Sequence, residues 1–389
     1  MKKKKIIFLS AQVISNRDYK RLGLEGIEIS CELTIFDFTK IMQPKAFNNQ
    51  LKNKKEGIKN IFIEKLSDLI DLKGLLEQSD LIISALDSPS PFNSSIYELF
   101  QKYQQKLCLL KITSFPLEPL GLKYFFFKKI YCKIISEKID FPINTYRRLL
   151  FKIKNPINKK INLKPKYLMV CGESVLENCK NMIEQKTIII KSCSYDYILS
   201  QNCIEKKLDF KYVVFLDEYL INHSDFKILN NPVEKEEIYY KELNKFFEFI
   251  ETSLKLKVVI ASHPRADLNY NKNKFPKNLV FQNNTCQLIK NCEACIIHAS
   301  TSINFAVIHK KPTLFITTNR MKMTRYDNDL LASWFNKKPL NISAKYNLID
   351  IKNGLNIEKK YFEQYLKKFI RFSTEPIFGY EFLINKFIK

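Results

Sequence analysis

The chain has 389 residues, 46% of them apolar and 13% aromatic. That is too long for one hydrophobic core and apolar enough for two of about 150–200 residues each, which excludes disorder as the default. No run approaches the roughly 18 uninterrupted apolar residues of a membrane-spanning helix, and eight glycines exclude an extended glycine-rich fold. The net charge of +24 partly reflects a Lys-, Asn-, Ile- and Phe-heavy composition, but 13 Lys/Arg against two acids, Glu137 and Asp140, lie between Lys123 and Lys166.

The start, MKKKKIIFLSAQVISNRD, has the charge of a signal peptide. Its apolar stretch is short, carries Ser10 and Gln12 and lacks a small-residue cleavage site, so a first strand, Lys5 to Leu9, is expected instead. The ten cysteines are scattered through apolar runs and are expected to be reduced thiols of a cytoplasmic protein. Cys292-x-x-Cys295 has no second ligand pair nearby, so no zinc or other metal site is expected.

After the first strand comes Ser15-Asn16-Arg17-Asp18-Tyr19-Lys20-Arg21, then a strand from Ile29 to Phe36 that ends at Asp37. This βα start has neither a dinucleotide-binding fingerprint nor a phosphate-binding P-loop. Arg17 and Arg21, four apart, share a helix face. They are either a solvated helix start or an acceptor or phosphate contact. Ile58 to Ile63 reads as a strand, Ser67 to Gln78 as a helix and Asp80 to Ala85 as a strand. A turn-rich loop, Asp87-Ser88-Pro89-Ser90-Pro91, follows. Ile96 to Tyr103 reads as a helix and Lys106 to Ile112 as a strand. Alternating strands and helices imply a parallel sheet built from βαβ units.

From Lys123 to about Lys166 aromatics and cations interleave. Such a segment suits an anionic membrane surface. It equally suits a helical hairpin with core aromatics and solvated lysines. Nucleic acid is disfavoured, because no recognised nucleic-acid module surrounds it.

Strands resume at Tyr167 to Cys171 and at Ile188 to Lys191, and the polar stretch Gln201 to Leu208 marks the domain boundary. The expected domains are 1–205 and 206–389, with a helical, aromatic tail from Tyr361 to Ile388 packing back on the first. The second opens with a strand, Tyr212 to Leu216, ending in Asp217-Glu218-Tyr219. A long amphipathic helix, Glu234 to Lys255, follows. Three apolar strands then end in polar clusters: Val258 to Ala261 in Ser262-His263-Pro264-Arg265, Cys295 to Ile297 in His298-Ala299-Ser300-Thr301-Ser302, and Thr313 to Ile316 in Thr317-Thr318. Ligands of open α/β sheets bind outside the carboxyl ends of the strands. His263 and Arg265 can donate to phosphate oxygens. Ser300 to Ser302 either cap the following helix or hold an anion at its start. One carboxylate of Asp217-Glu218 can act as a general base for a hydroxyl; strand alternation turns the two apart and favours Asp217. No nucleophile-elbow serine is present, which disfavours a hydrolase triad.

Two α/β halves, a strand-end His263-Pro264 and a later Ser300-Thr301 or Thr301-Ser302 pair resemble the GT-B glycosyltransferases. More narrowly they resemble bacterial sialyltransferases, polysialyltransferases and related enzymes of capsule and lipopolysaccharide assembly. The opening segment, with RDYKR before FDFTK, also resembles surface-polysaccharide biosynthesis proteins. The resemblance implies two Rossmann-like domains flanking a cleft. His263 and the hydroxyl pair would contact the CMP part of the donor, and an acidic residue would serve as base. It departs from the family in one respect: there the acidic pair belongs to the first domain and precedes Gly, whereas Asp217-Glu218 opens the second and precedes Tyr219. Asp18 or Asp87 are alternative bases. The implied function is transfer from a nucleotide sugar, CMP-linked and acidic by preference, to a cell-surface polysaccharide or lipid-linked glycan. No cofactor beyond that co-substrate is expected, with Arg17 and Arg21 on the acceptor side and a peripheral site on the inner face of the cytoplasmic membrane. The rivals are a CDP-glycerol- or CDP-ribitol-type polymer phosphotransferase and a non-catalytic glycan- or nucleic-acid-binding protein.

Overall fold

In a computed structural model of the chain, the described residues are 3–86, 94–112, 163–203, 208–222, 236–264, 266–319, 321, 325–372, 383 and 385. Most of the basic aromatic segment (residues 113–162), Asp87 and Arg265 lie outside them. The described residues form two compact units: 199–366, and a unit of residues up to 112 together with 163–198 and those from 367 onward.

The first unit holds seven strands: β1 (Lys5–Ser10), β2 (Glu32–Asp37), β3 (Lys59–Phe62), β4 (Leu81–Ser84), β5 (Leu107–Lys111), β6 (Tyr167–Cys171) and β7 (Ile188–Ser192). Their order is β3-β2-β1-β4-β5-β6-β7, and every pairing is parallel. The central strands bury almost every residue, β1 and β6 among them. That is why these segments read as unbroken apolar runs rather than alternating ones. The second unit holds β8 (Tyr212–Leu216), β9 (Lys257–Ser262), β10 (Leu279–Gln282), β11 (Ala294–Ile297), β12 (Thr313–Thr317) and β13 (Leu340–Asn341). Their order is β10-β9-β8-β11-β12-β13, again all parallel. Two Rossmann-like α/β units are therefore present, as expected.

Local departures have local causes. The expected strand from Ile29 starts only at Glu32, because Gly23, at φ 65°, opens a helix Leu24–Ser30 that buries Leu24 and Ile27 one turn apart. Ile29 therefore lies on a helix and is 73% exposed. The expected helix Ser67–Gln78 breaks at Leu72 into Asp68–Asp71 and Lys73–Gln78. The long helix of the second unit runs Glu236–Leu254. It lays Tyr239, Leu243, Phe246, Phe247 and Ile250 into the core at three- and four-residue spacing.

The chain end meets the first unit through backbone contacts. After the helix Lys359–Tyr365 a wide turn, Leu366–Ile370, passes over Gly172, the residue after β6. The Cys171 thiol donates to the Phe369 carbonyl at 3.4 Å, and the Ser194 N–H donates to the Ile370 carbonyl at 2.7 Å. Beyond that turn, most of the expected tail helix to Ile388 lies outside the described residues.

Candidate functional site

The chain runs outward from β8 to β9 and β10, then crosses back to place β11 on the other side of β8. The strand order thus reverses beside β8, the kind of place where a crevice opens at the carboxyl ends of a doubly wound sheet. Leu216, the last residue of β8, is level with Ala261 of β9 and Ile297 of β11. The three polar clusters read from the sequence at these strand ends are therefore brought side by side.

Asp217 and Glu218 turn opposite ways, as strand alternation requires. Asp217, 5% exposed, faces the β9 side. Its Oδ1 accepts from the Tyr219 N–H at 3.0 Å and its Oδ2 from Asn271 Nδ2 at 2.7 Å. The His263 backbone N–H also donates to the carboxylate. Burial raises its pKa, and these donors oppose the rise. Glu218 faces β11, where its Oε1 accepts from the Ala299 N–H. Burial pushes the Glu218 carboxyl up to about 8; the Ala299 hydrogen bond opposes this, and the nearby charges of Asp217 and Asp327 add to it. Tyr219 then takes a left-handed backbone, φ 53°, which a residue with a Cβ adopts at some strain.

His263 and Pro264 are half-buried and follow β9 directly. Their loop closes with the Ala266 N–H donating to the His263 carbonyl at 2.9 Å. Gln282, the last residue of β10, reaches across. Its Nε2 donates to the carbonyls of His263 (3.2 Å), Pro264 (3.3 Å) and Ala266 (2.7 Å).

At the end of β11 the cluster divides. His298 is wholly buried: Nδ1 donates to the Ile316 carbonyl at 2.9 Å and Nε2 accepts from the Tyr239 hydroxyl at 3.1 Å. Burial lowers its pKa to about 4, so it is a neutral core histidine. Ser300 and Ser302 are half-buried and Thr301 is exposed. The Ser302 N–H donates to Ser300 Oγ at 3.2 Å, and Ser302 makes no side-chain cap to the helix Ile303–Ile308. The simple capping alternative thus does not describe Ser302.

In the first unit Asp18 is buried inside a helix start. Its Oδ2 accepts from Ser15 Oγ at 2.7 Å, and its N–H donates to the same oxygen at 3.1 Å. Arg17 is exposed and Arg21 half-buried on the helix Asn16–Arg21. The Tyr195 hydroxyl is raised to about 12, chiefly by burial, and both guanidinium charges oppose that rise. A cavity of about 560 Å³ opens beside this helix, lined in part by Asn16, Tyr19, Lys20 and Lys55.

Among the described residues no group of three or more His, Cys, Asp and Glu side chains could hold a metal ion. Cys292 and Cys295 lie with their sulfurs 3.7 Å apart, both buried. No described helix is long and apolar enough to cross a membrane.

No family model matches the chain, and no curated protein sequence matches it. Solved structures resemble it at a distance. The calicheamicin glycosyltransferase CalG4 is 10% identical at a TM-score of 0.46, over 94% of this chain and 92% of its own. MurG of Acinetobacter baumannii is 8% identical at 0.45, over 99% of both chains. The wall teichoic acid polymerase TagF is 10% identical at 0.48, over 99% of this chain and 88% of its own.

Proposed function

We propose that the chain is a glycosyltransferase that takes a sugar from a nucleotide-sugar donor, a CMP-linked acidic sugar by preference. The acceptor is a cell-surface polysaccharide or a lipid-linked glycan. One observation carries this reading. A carboxyl pair sits just past the end of the strand where the order of the second sheet reverses, with the His263 loop on one side and the Ser300–Ser302 turn on the other. Such a place gathers a proton acceptor and neutral or cationic donors around one opening, which suits a sugar joined to an anionic leaving group.

The chemistry is a single displacement. An acceptor hydroxyl oxygen attacks the anomeric carbon and gives its proton to a carboxylate of the Asp217-Glu218 pair. The bond from the anomeric carbon to the phosphate oxygen breaks, and the nucleotide leaves with the electron pair. His263, Arg265 and the hydroxyls of Ser300, Thr301 and Ser302 donate to the oxygens on which that charge develops. On this reading Asp18 is a helix-start residue, because its carboxylate is occupied by Ser15. Arg17 and Arg21 take the acceptor's anionic groups, and the cationic, aromatic 123–166 segment holds the protein against an anionic membrane surface. No resident metal is needed where cationic and hydroxyl donors face the leaving phosphate.

Thermal-shift titration of the full chain with CMP, CDP, UDP and GDP tests the reading. Stabilisation by a cytidine nucleotide, lost in His263→Ala without loss of the fold, is expected. No stabilisation by any of the four would discard it. Product analysis with CMP-sialic acid, UDP-sugars and CDP-glycerol separates sugar transfer from polymer phosphotransfer.

A further inference from the structure

The loop after β9 is gripped from both neighbouring strands. On the β8 side, Asp217 accepts the first N–H of the loop, from His263. The same carboxylate is tied to Asn271 on the helix Leu268–Lys274, and the Asn271 amide also donates to Ser262 Oγ at 2.8 Å. On the β10 side, a single amide, Gln282 Nε2, faces the carbonyls of His263, Pro264 and Ala266. The loop's first N–H and three of its carbonyls are therefore fixed by side chains from two different strands. Such double fixation keeps a loop from sampling other conformations before its ligand arrives.

The accounting for Asp217 is nearly complete. Its carboxylate receives three donors, from Tyr219, Asn271 and His263, and it is 5% exposed. A carboxylate so engaged is a poor acceptor for a substrate proton. Glu218 receives one described donor, the Ala299 N–H, on the β11 side of the same strand end.

We propose that Asp217 and Gln282 are positioning residues that clamp the His263 loop from both sides, leaving Glu218 as the carboxyl that takes the acceptor's proton. The proton assignment rests on the glycosyltransferase reading; the clamp does not. Asp217 thus acts through His263 rather than on the substrate. Gln282 sets the aim of the loop's imidazole toward an anionic ligand.

The test uses the full chain with Gln282→Met, which conserves volume and removes the amide with its donor, on a half-buried edge-strand residue that the core does not depend on. Gln282→Lys restores a donor within reach of the same carbonyls. Hydrogen exchange at the His263 and Ala266 amides should accelerate about tenfold or more in Gln282→Met, with other strands unchanged, and return toward wild type in Gln282→Lys. The dissociation constant for CMP, measured by calorimetry, should rise about tenfold in Gln282→Met and recover in Gln282→Lys. In transfer assays Asp217→Asn should raise KM for the donor more than it lowers kcat. Glu218→Gln should lose kcat while binding CMP normally. Wild-type exchange and CMP binding in Gln282→Met would overturn the clamp. Loss of kcat in Asp217→Asn with loop exchange and CMP binding unchanged would overturn the division of roles. If the wild-type chain binds no nucleotide, the glycosyltransferase reading fails, and the exchange measurement still decides the clamp.

Discussion

The Tyr239 hydroxyl donates to His298 Nε2 at 3.1 Å, while His298 Nδ1 donates to the Ile316 carbonyl at 2.9 Å. A carbonyl can only accept, so Nδ1 carries the proton and Nε2 is the acceptor. The ring is wholly buried, packed edge-on against Phe215 with centroids 5.6 Å apart, and is neutral. A second proton on Nε2 would set two donors against each other.

A pH dependence follows from this arrangement. Burial depresses the folded pKa of His298 from 6.5 to about 4. The unfolded chain takes up a proton below about 6.5 that the folded chain refuses until about 4. Stability from His298 is therefore complete above 6.5 and is lost as pH falls through that window, by on the order of 3 kcal/mol. Urea unfolding at pH 7.5, 5.5 and 4.5 measures it. His298→Gln should be less stable at pH 7.5 but show a shallower acid limb. An acid limb of unchanged slope in the variant would assign the loss to other groups.

Glu218 has the opposite sign. Its folded pKa is raised from 4.5 to about 8, first by burial. The folded chain holds this proton between those values after the unfolded chain has released it. The contribution is complete below 4.5, declines as pH rises to about 8 and is constant above. Glu218→Gln cannot ionise. Its Tm relative to wild type should therefore climb by several degrees between pH 5 and pH 8.5. Parallel Tm curves for the two proteins would show that Glu218 is solvated and charged throughout. The same titration should appear in transfer, with kcat/KM rising toward pH 8 in the wild type only.

These two residues show what the sequence makes legible and what it hides. The central parallel strands were readable because strands buried on both faces become short apolar runs; β10 and β13, only partly buried at the edges of the second sheet, leave no such run and were not read. What a single strand end cannot reveal is which members of its cluster face out. His298 and Ser300 stand two residues apart, yet the first is locked in the core against Tyr239. Asn271 sits in the polar run LNYNKNK and Gln282 ends a short edge strand, so both read as solvated. Gln282 acts through carbonyls 16 to 19 residues away in sequence, and Asn271 through Ser262 nine residues away and Asp217 54 residues away, and periodicity carries no trace of either. The only local signal was Asn271 lying four residues after the helix cap Asp267 and four before the buried Phe275. Asp217-Glu218 was readable as a pair turned apart by strand alternation, but which neighbouring strand each would face was not.

Tyr219 offers a test of stored strain. Its φ of 53° follows the two carboxyl residues, and its ring meets Tyr270 edge-on at 5.7 Å. Tyr219→Gly and Tyr219→Ala both lose the ring, but only glycine relieves the backbone. Glycine there should be more stable than alanine by about 1 kcal/mol, against the usual order in which alanine wins. Equal stabilities, or alanine ahead, would mean that the backbone carries no strain at this position. Chemical denaturation of the two variants side by side decides it.

Gly172 makes the sharpest prediction in the first unit. It has φ 79°, and a Cβ added there would stand 2.4 Å from the Lys368 carbonyl oxygen and 2.8 Å from the Phe369 nitrogen. Both obstacles are backbone, held by the Cys171 thiol on the Phe369 carbonyl and the Ser194 N–H on the Ile370 carbonyl. Neither can rotate aside as a flexible side chain would. Gly172→Ala must therefore strain its own backbone and lift the Leu366–Ile370 turn, at a cost of about 2–4 kcal/mol. If the turn lifts, exchange at the Ser194 amide and limited proteolysis near residues 366–372 should both increase, while the strands of the second unit remain as protected as before. A Gly172→Ala protein with wild-type stability and an intact turn would mean that the chain end does not rest on this glycine.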